Sequence, residues 1–203
     1  IGGKPAFVFT GNQLFKSEFS LGEAFVGNSP YSLNAWIYMD KISDNEYFFD
    51  FTDRGDDLRK VAIGYGSDKN SGLVAHHGSH EELGLNTEPK LSQWVLLSVV
   101  FDGYMEKVYI NGEKVTERNL FLRLLPSRNV TIGGKWDGSF TFKNYLNSIY
   151  VYDSPLSDSE IAEIYANGIK DISDTSFKSE YMLMNDIKQL RLKPELKAVS
   201  PSY

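Results

Sequence analysis

All three histidines of this chain fall in one short stretch, His76-His77-Gly78-Ser79-His80. His76 and His80 stand four apart, the spacing at which two imidazoles on a helix turn can share a zinc ion. Gly78 inside the stretch, with Gly72 and Gly84 on either side, points instead to a polar loop. Ser79 beside His80 pairs a hydroxyl with a base, but no Gly-x-Ser-x-Gly elbow surrounds it. A second cluster is acidic. Asp50, Asp53, Asp56 and Asp57 gather around Gly55. Oxygen-rich loops suit calcium, which takes about 6–8 oxygen ligands. The spacing departs from the D-x-D-x-D-G loop, so a charged hairpin loop is the competing reading. The third candidate is Trp136, in Gly133-Gly134-Lys135-Trp136-Asp137-Gly138-Ser139. A ring there offers a flat apolar face to sugar C–H groups, while Lys135 and Asp137 offer a donor and an acceptor for hydroxyls. The alternative is a ring folded back to cap the core. Trp136, Asp137, Lys135, His76 and His80 are therefore the candidate ligand-binding residues, and the four aspartates the candidate calcium ligands.

Catalytic pairs are harder to find. Retaining glycoside hydrolysis needs two carboxyls about 5–5.5 Å apart, which two residues on one strand face can supply. Asp50 and Asp53 are three apart and face opposite ways in a regular strand. Glu81 and Glu82 are adjacent and also opposed. No catalytic residue is assigned. Cysteine is absent, which excludes disulfides, thiolate zinc sites and cysteine nucleophiles.

The elements that must carry these residues are mostly strands. Short runs rich in aromatic and β-branched residues, separated by turn residues, predict strands over 6–10, 31–39, 46–52, 60–65, 72–76, 93–101, 104–110, 113–116, 129–132 and 147–152. In the second, Leu33, Ala35, Ile37 and Met39 alternate with Ser32, Asn34, Trp36 and Tyr38, so one face packs. The other carries Trp and Tyr and is either a second packed layer or a binding surface. Trp36 and Trp94 lie inside strand patterns and are expected in the core. Asn111-Gly112 between two strand runs predicts a hairpin turn with positive φ at both residues. Asp102-Gly103 reads as a second turn of that kind, giving a three-stranded meander. Ser157-Asp158-Ser159-Glu160 is a capping box. With Ile161, Ile164 and Tyr165 on one face, it predicts a helix over 157–166, stopped by Gly168.

The chain has 203 residues, 41% apolar and 24% charged. One large domain or two small ones fit that length, and about 70% of the unfolded surface is buried at such sizes. With 27 acidic against 21 basic residues the net charge is -6. Phosphate backbones and anionic membranes repel such a chain, so nucleic acid is not an expected partner. No apolar stretch reaches the roughly 18 residues of a membrane span. Aromatic residues make up 14%, which suits packed sheets and binding faces alike. Residues 169–203 hold 6 Lys+Arg and 5 Asp+Glu, a net +1 that leaves -7 for the first 168. Leu183, Ile187 and Leu190 could line a helix within 180–192. The expected organisation is a domain over 1–168 and an accessory extension over 169–203 that packs on it or links to a neighbour. Ile1 in place of Met reads as a processed or trimmed start, so any signal peptide lies outside this sequence.

Several segments together resemble a known family. Phe9-Thr10-Gly11 is similar to an opening Phe-Asp-Gly strand end. Residues 31–37, with Trp36, are similar to a strand ending in Trp-Val, and residues 94–103 to a "W-h-v-a-v-t-f-d-g" strand. Val108-Tyr109-Ile110-Asn111-Gly112 resembles "l-Y-v-N-G", and Thr131-Ile132-Gly133 resembles "l-x-i-G". Residues 149–161 resemble the closing "v-r-i-Y-n-r-a-L-s-x-x-E-I". In this order, over residues 6–168, they resemble laminin-G-like and pentraxin-like domains of the concanavalin A-like lectin/glucanase superfamily. The resemblance implies an all-β, two-sheet antiparallel jelly-roll sandwich of about a dozen strands with one short C-terminal helix. It implies a non-catalytic carbohydrate- or glycoconjugate-binding module of an exported, bacterial protein, placed outside the cell, in the periplasm or on the surface. Two alternatives stand beside it. One is a glycoside hydrolase or polysaccharide lyase of the same superfamily, whose Glu-x-Asp-x-x-Glu motif is missing here. The other is a protein-interaction or adhesion domain, with another protein domain as partner. Relatives with a calcium site often carry acids where this chain has Thr10 and Asn147. No cofactor other than calcium is implied.

Overall fold

The computed structural model describes residues 1–17, 23–42, 46–51, 59–66, 72–77, 82–85, 89–126, 130–169 and 197–199. The strands, numbered in chain order, form two antiparallel sheets packed as a jelly-roll sandwich. The first runs β1 (Phe7–Val8), β12 (Tyr145–Tyr152), β3 (Tyr31–Tyr38), β8 (Trp94–Phe101), β9 (Met105–Ile110) and β10 (Glu113–Asn119). The second runs β13 (Lys197–Val199), β2 (Leu14–Lys16), β11 (Thr131–Ile132), β4 (Tyr47–Asp50), β5 (Ala62–Gly64), β6 (Leu73–His76) and β7 (Glu82–Gly84).

The core lies between the sheets and follows the sequence alternation. Leu33, Ala35 and Ile37 of β3 pack inward with Leu97 and Val99 of β8 against Phe49, Ile63 and Ala75 of the second sheet. Each large apolar side chain buried this way contributes about 1.5–3 kcal/mol relative to exposure. Edge-to-face ring pairs such as Phe9–Phe142 at 5.6 Å and Tyr31–Phe51 at 5.6 Å fill the core, the geometry that ring quadrupoles favour.

The Asn111-Gly112 turn has positive φ at both residues, 54° and 85°, and joins Ile110 to Glu113 in register. The Asp102-Gly103 turn differs from its expected form. Only Gly103 has positive φ. The Asp102 carboxylate accepts from the amides of Tyr104 and Met105 instead, a side-chain-capped turn. Helix α1 spans Asp158–Asn167, with the capping box formed and Gly168 at φ 65° ending it. It lies on the outer face of the first sheet, where Ile161 packs with Val100, Tyr109, Tyr152 and Leu156.

Of the two tryptophans expected in the core, one is buried and one is not. Trp36 is buried, but under the helix rather than between the sheets: it stacks on Tyr165 at 5.9 Å. Trp94 is half-buried on the same outer face and its indole N–H donates to the Ile1 carbonyl at 3.0 Å. Both sit on the second face of the strand alternation, which period 2 separates from the core. Of the extension, Lys197–Val199 pairs with β2; residues 180–192 lie outside the described residues.

Candidate functional site

On the side of the second sheet away from the core, register places one residue per strand in a row. Lys16, Thr131, Asp50, Ala62 and His76 are successive partners across β2, β11, β4, β5 and β6. Their neighbours Phe49, Ile63 and Ala75 belong to the core. Yet Thr131, Asp50 and His76 are also buried. Asp50 lies against the loop over 133–140, from whose Trp136 amide it accepts a hydrogen bond.

The loop is anchored at four points. Gly133 enters it at φ 94°, and a Cβ there would stand 2.6 Å from both the Gln13 carbonyl oxygen and the Phe9 ring. Only glycine fits. The amide of Lys135 donates to the Ser139 carbonyl and that of Gly138 to the Lys135 carbonyl, closing a tight turn. Asp50 Oδ2 accepts from the Trp136 amide at 3.0 Å, tying the tip to the sheet. Tyr47 N donates to the Phe140 carbonyl.

These anchors bring together residues that lie far apart in sequence. The Lys135 ammonium sits 4.6 Å from the centre of the Tyr47 ring and 4.4 Å from that of Phe140. Two such cation–π contacts are each worth about 0.5–1 kcal/mol near the surface. The Tyr47 ring in turn lies 5.7 Å from the His76 imidazole. So Lys135 and His76 flank one tyrosine, and Trp136 sits half-buried next to Lys135. Asp137 is exposed, and its Oδ1 accepts from both the amide and the hydroxyl of Ser139. Partial burial works to raise its pKa, but these hydrogen bonds and the Lys135 charge outweigh it and hold the carboxyl below the usual carboxylate range. It is an anionic acceptor at neutral pH.

Of the candidate ligand residues, the structure thus groups Trp136, Asp137, Lys135 and His76; His80 lies outside the described residues. Of the candidate calcium ligands, Asp50 is buried and tethers the loop, while Asp53, Asp56 and Asp57 lie outside the described residues. Among the described residues no three His, Asp or Glu side chains gather as a metal would need. Thr10 and Asn147, where the family resemblance led to the expectation of acids in a calcium site, are engaged within the protein. Thr10 binds Gln13 through both its amide and its hydroxyl. Asn147 donates to the Pro5 carbonyl, and the Lys143 side chain packs against Gly11. That set holds no carboxylate, and its Gln13 Oε1 is already taken by the Thr10 amide and hydroxyl.

Two residues of the site escaped the sequence reading. Tyr47 sits in a strand pattern indistinguishable from its core neighbours Phe48 and Phe49. Phe140 is 43% exposed with φ at 52°. A bulky residue in the left-handed region is strained, and such strain concentrates at functional sites. The only sequence signal was its place at the end of a Gly-rich loop. The site as a whole gathers the aromatic side chains of Trp136 and Phe140, a carboxylate, an ammonium and the Ser139 hydroxyl. That is chemistry for holding a polar ligand with apolar faces.

No curated protein matches the chain. Solved structures do. Domain 4 of the extracellular GH43 arabinanase AbnA from Geobacillus stearothermophilus, solved with arabinotriose, superimposes with a TM-score of 0.63 at 19% identity, covering 81% of this chain and 79% of that one. The heptameric SAP-like pentraxin of Limulus polyphemus gives 0.63 at 17% identity, covering 95% and 89%. NanB sialidase from Streptococcus pneumoniae gives 0.58 at 14% identity, covering 77% of this chain and 27% of that one. At these identities the likeness is one of fold. The sequence profile of Laminin_G_3 matches residues 13–162, and the chain therefore belongs to that family of the concanavalin A-like lectin/glucanases superfamily.

Proposed function

We propose that this domain is a non-catalytic carbohydrate-binding module of an exported protein, and that the loop over 133–140 is its ligand site. One observation carries the reading. Asp50, Tyr47 and Gly133 fix a loop that carries an exposed Phe140 and an exposed, ionised Asp137 beside the half-buried Trp136 and Lys135. Sugars present apolar C–H faces and a ring of hydroxyls, and pockets for them combine flat rings with a few placed polar groups. Solved neighbours support it: one holds arabinotriose and comes from an extracellular enzyme, and another belongs to a sialidase. In this reading Trp136 and Phe140 stack on the sugar, Lys135 donates to a hydroxyl, and Asp137 accepts from one. His76 and Tyr47 form the floor.

The test is titration calorimetry with arabinotriose and a glycan array, each run with and without EDTA. Trp136→Ala is expected to weaken binding by about 1–3 kcal/mol, the range for loss of one aromatic stacking partner, with little change in Tm. A loss of stability of about 3 kcal/mol or more, the scale of a core Trp, shows that the ring is structural. Absence of binding to any glycan refutes the reading. Loss of binding with EDTA shows that a metal takes part.

A further inference from the structure

His77 follows His76 directly but points to the opposite face, as alternation requires. It is fully buried, and so is Glu106 of β9 in the facing sheet. Its Nδ1 lies 2.8 Å from the Lys60 carbonyl oxygen. A carbonyl oxygen only accepts, so Nδ1 carries a hydrogen. Its Nε2 lies 2.7 Å from Glu106 Oε1. Glu106 Oε2 accepts from Arg118 Nε at 3.0 Å, and Arg118 Nη2 is also 3.0 Å away. A carboxylate engaged by a guanidinium is favoured in its ionised form. An ionised carboxylate also only accepts, so Nε2 must carry a hydrogen too. With both ring nitrogens donating, the ring is an imidazolium.

We propose that the His77 imidazolium, the Glu106 carboxylate and the Arg118 guanidinium form a proton-dependent latch that fastens the end of β6 to the facing sheet. The third element packed against Glu106 is β3, whose buried Tyr31 hydroxyl faces the same carboxylate. Burial first, and then the Glu106 charge, keep that phenol protonated well above its ordinary range. Among the described residues, the titratable or charged groups gathered here are thus Glu106, Arg118 and Tyr31, with the Lys60 carbonyl ahead of β5. If the ring loses a proton, a nitrogen lone pair faces a buried carboxylate and the bond between the sheets is gone. Uncompensated buried charges of this kind are strongly destabilising. If Glu106 gains a proton, Arg118 loses its carboxylate. The latch matters to the site because His76, one residue away, packs on Tyr47 under Lys135. Only that last link rests on the carbohydrate reading; the protonation state does not.

The experiment is nitrogen-15 NMR of the histidine rings in the full chain at neutral pH, with each histidine identified by single substitution. The expected result is a His77 ring with hydrogens on both nitrogens, the Nε2–H exchanging slowly with water. In Glu106→Gln the amide can donate to Nε2 while its oxygen stays with Arg118. His77 should then become a neutral ring with hydrogen on Nδ1 alone. A wild-type His77 ring with one N–H overturns the proposal, and this measurement decides the matter even if the variant does not fold. A His77 ring that keeps hydrogens on both nitrogens in Glu106→Gln overturns it as well.

Discussion

Replacing Gly133 by alanine tests whether the loop is held by geometry or merely drapes over the sheet. The new Cβ would meet two obstacles. The backbone sits at φ 94°, where an L-residue costs roughly 1–2 kcal/mol. The methyl would also stand 2.6 Å from the Gln13 carbonyl oxygen and from Phe9 Cε1. Neither can yield easily. Gln13 presents backbone, and the Phe9 ring is wedged against Phe15 and Phe142 at 5.8 and 5.6 Å. Overpacking of that kind costs about 1–3 kcal/mol more, so the total expected is roughly 2–5 kcal/mol. Gly27→Ala is the internal control. Gly27 has φ 70° but nothing within 4 Å of where the alanine methyl would stand, so only the conformational part applies, about 1–2 kcal/mol. Urea denaturation at fixed pH gives both values. If the proposed function holds, titration of the folded fraction of Gly133→Ala with a glycan that the wild type binds should show weakened binding, because the loop must shift to admit the methyl, whereas Gly27→Ala should bind normally. Equal destabilisation by the two substitutions would refute the steric argument, and unaltered binding by Gly133→Ala would detach the loop from ligand recognition.

Other substitutions check separate parts of the frame. Ser157→Ala removes the acceptor at the start of α1 and should cost about 1 kcal/mol, read as a lower urea midpoint. Tyr109→Phe removes a 2.6 Å bond to Asp158. It should cost about 1.5–3 kcal/mol as a hydrogen bond to a charged partner. Burial pushes the Tyr65 phenol up to about 12 from 10.0, with the Lys90 amide bond opposing weakly. The folded state therefore keeps a proton that the unfolded chain loses near pH 10. Stability should accordingly decline as pH rises above 10 toward 12, a decline that Tyr65→Phe should lessen in denaturation series at alkaline pH.

The fold was legible because its strands are marked twice, by alternation and by turn chemistry. Leu33, Ala35 and Ile37 point inward as their spacing requires, and Asn111-Gly112 closes its hairpin with both residues at positive φ. What escaped was set by contacts distant in sequence. Strands β2 and β7 are three residues each, too short for a period to show, and exist because β11 and β6 offer partners. Trp36 and Trp94 obeyed the alternation, but the pattern could not say that a helix and the first residues of the chain would cover their face. The site was half visible. Composition singled out the loop around Trp136, while its union with His76 through Tyr47 depends on the register of β4, β5 and β6. Asp50 looked like a metal ligand because a carboxylate near other carboxylates carries no local sign that its partner will be the amide of Trp136.

Both outer faces of the sandwich carry aromatic residues, and the structure separates them by what those residues already do. On the first sheet Tyr145, Tyr38 and Trp94 are direct cross-strand neighbours, a row that could in principle receive a sugar. Their rings stand edge to face, 69° and 87° between planes, so they present no continuous flat surface. Trp94 gives its indole N–H to Ile1, and the backbone of Gly2 lies against its ring. Trp36 is stacked under Tyr165. That face spends its rings on holding α1 and the start of the chain. On the second sheet the rings hold a loop instead. Tyr47 is buried and grips Lys135, while Phe140 is kept 43% exposed in a strained conformation. Burying Phe140 would recover about 1.5–3 kcal/mol, and relaxing its φ would recover roughly 1–2 kcal/mol more. A fold that forgoes both at one position, beside an ionised carboxylate and an ammonium, has the makings of a contact surface.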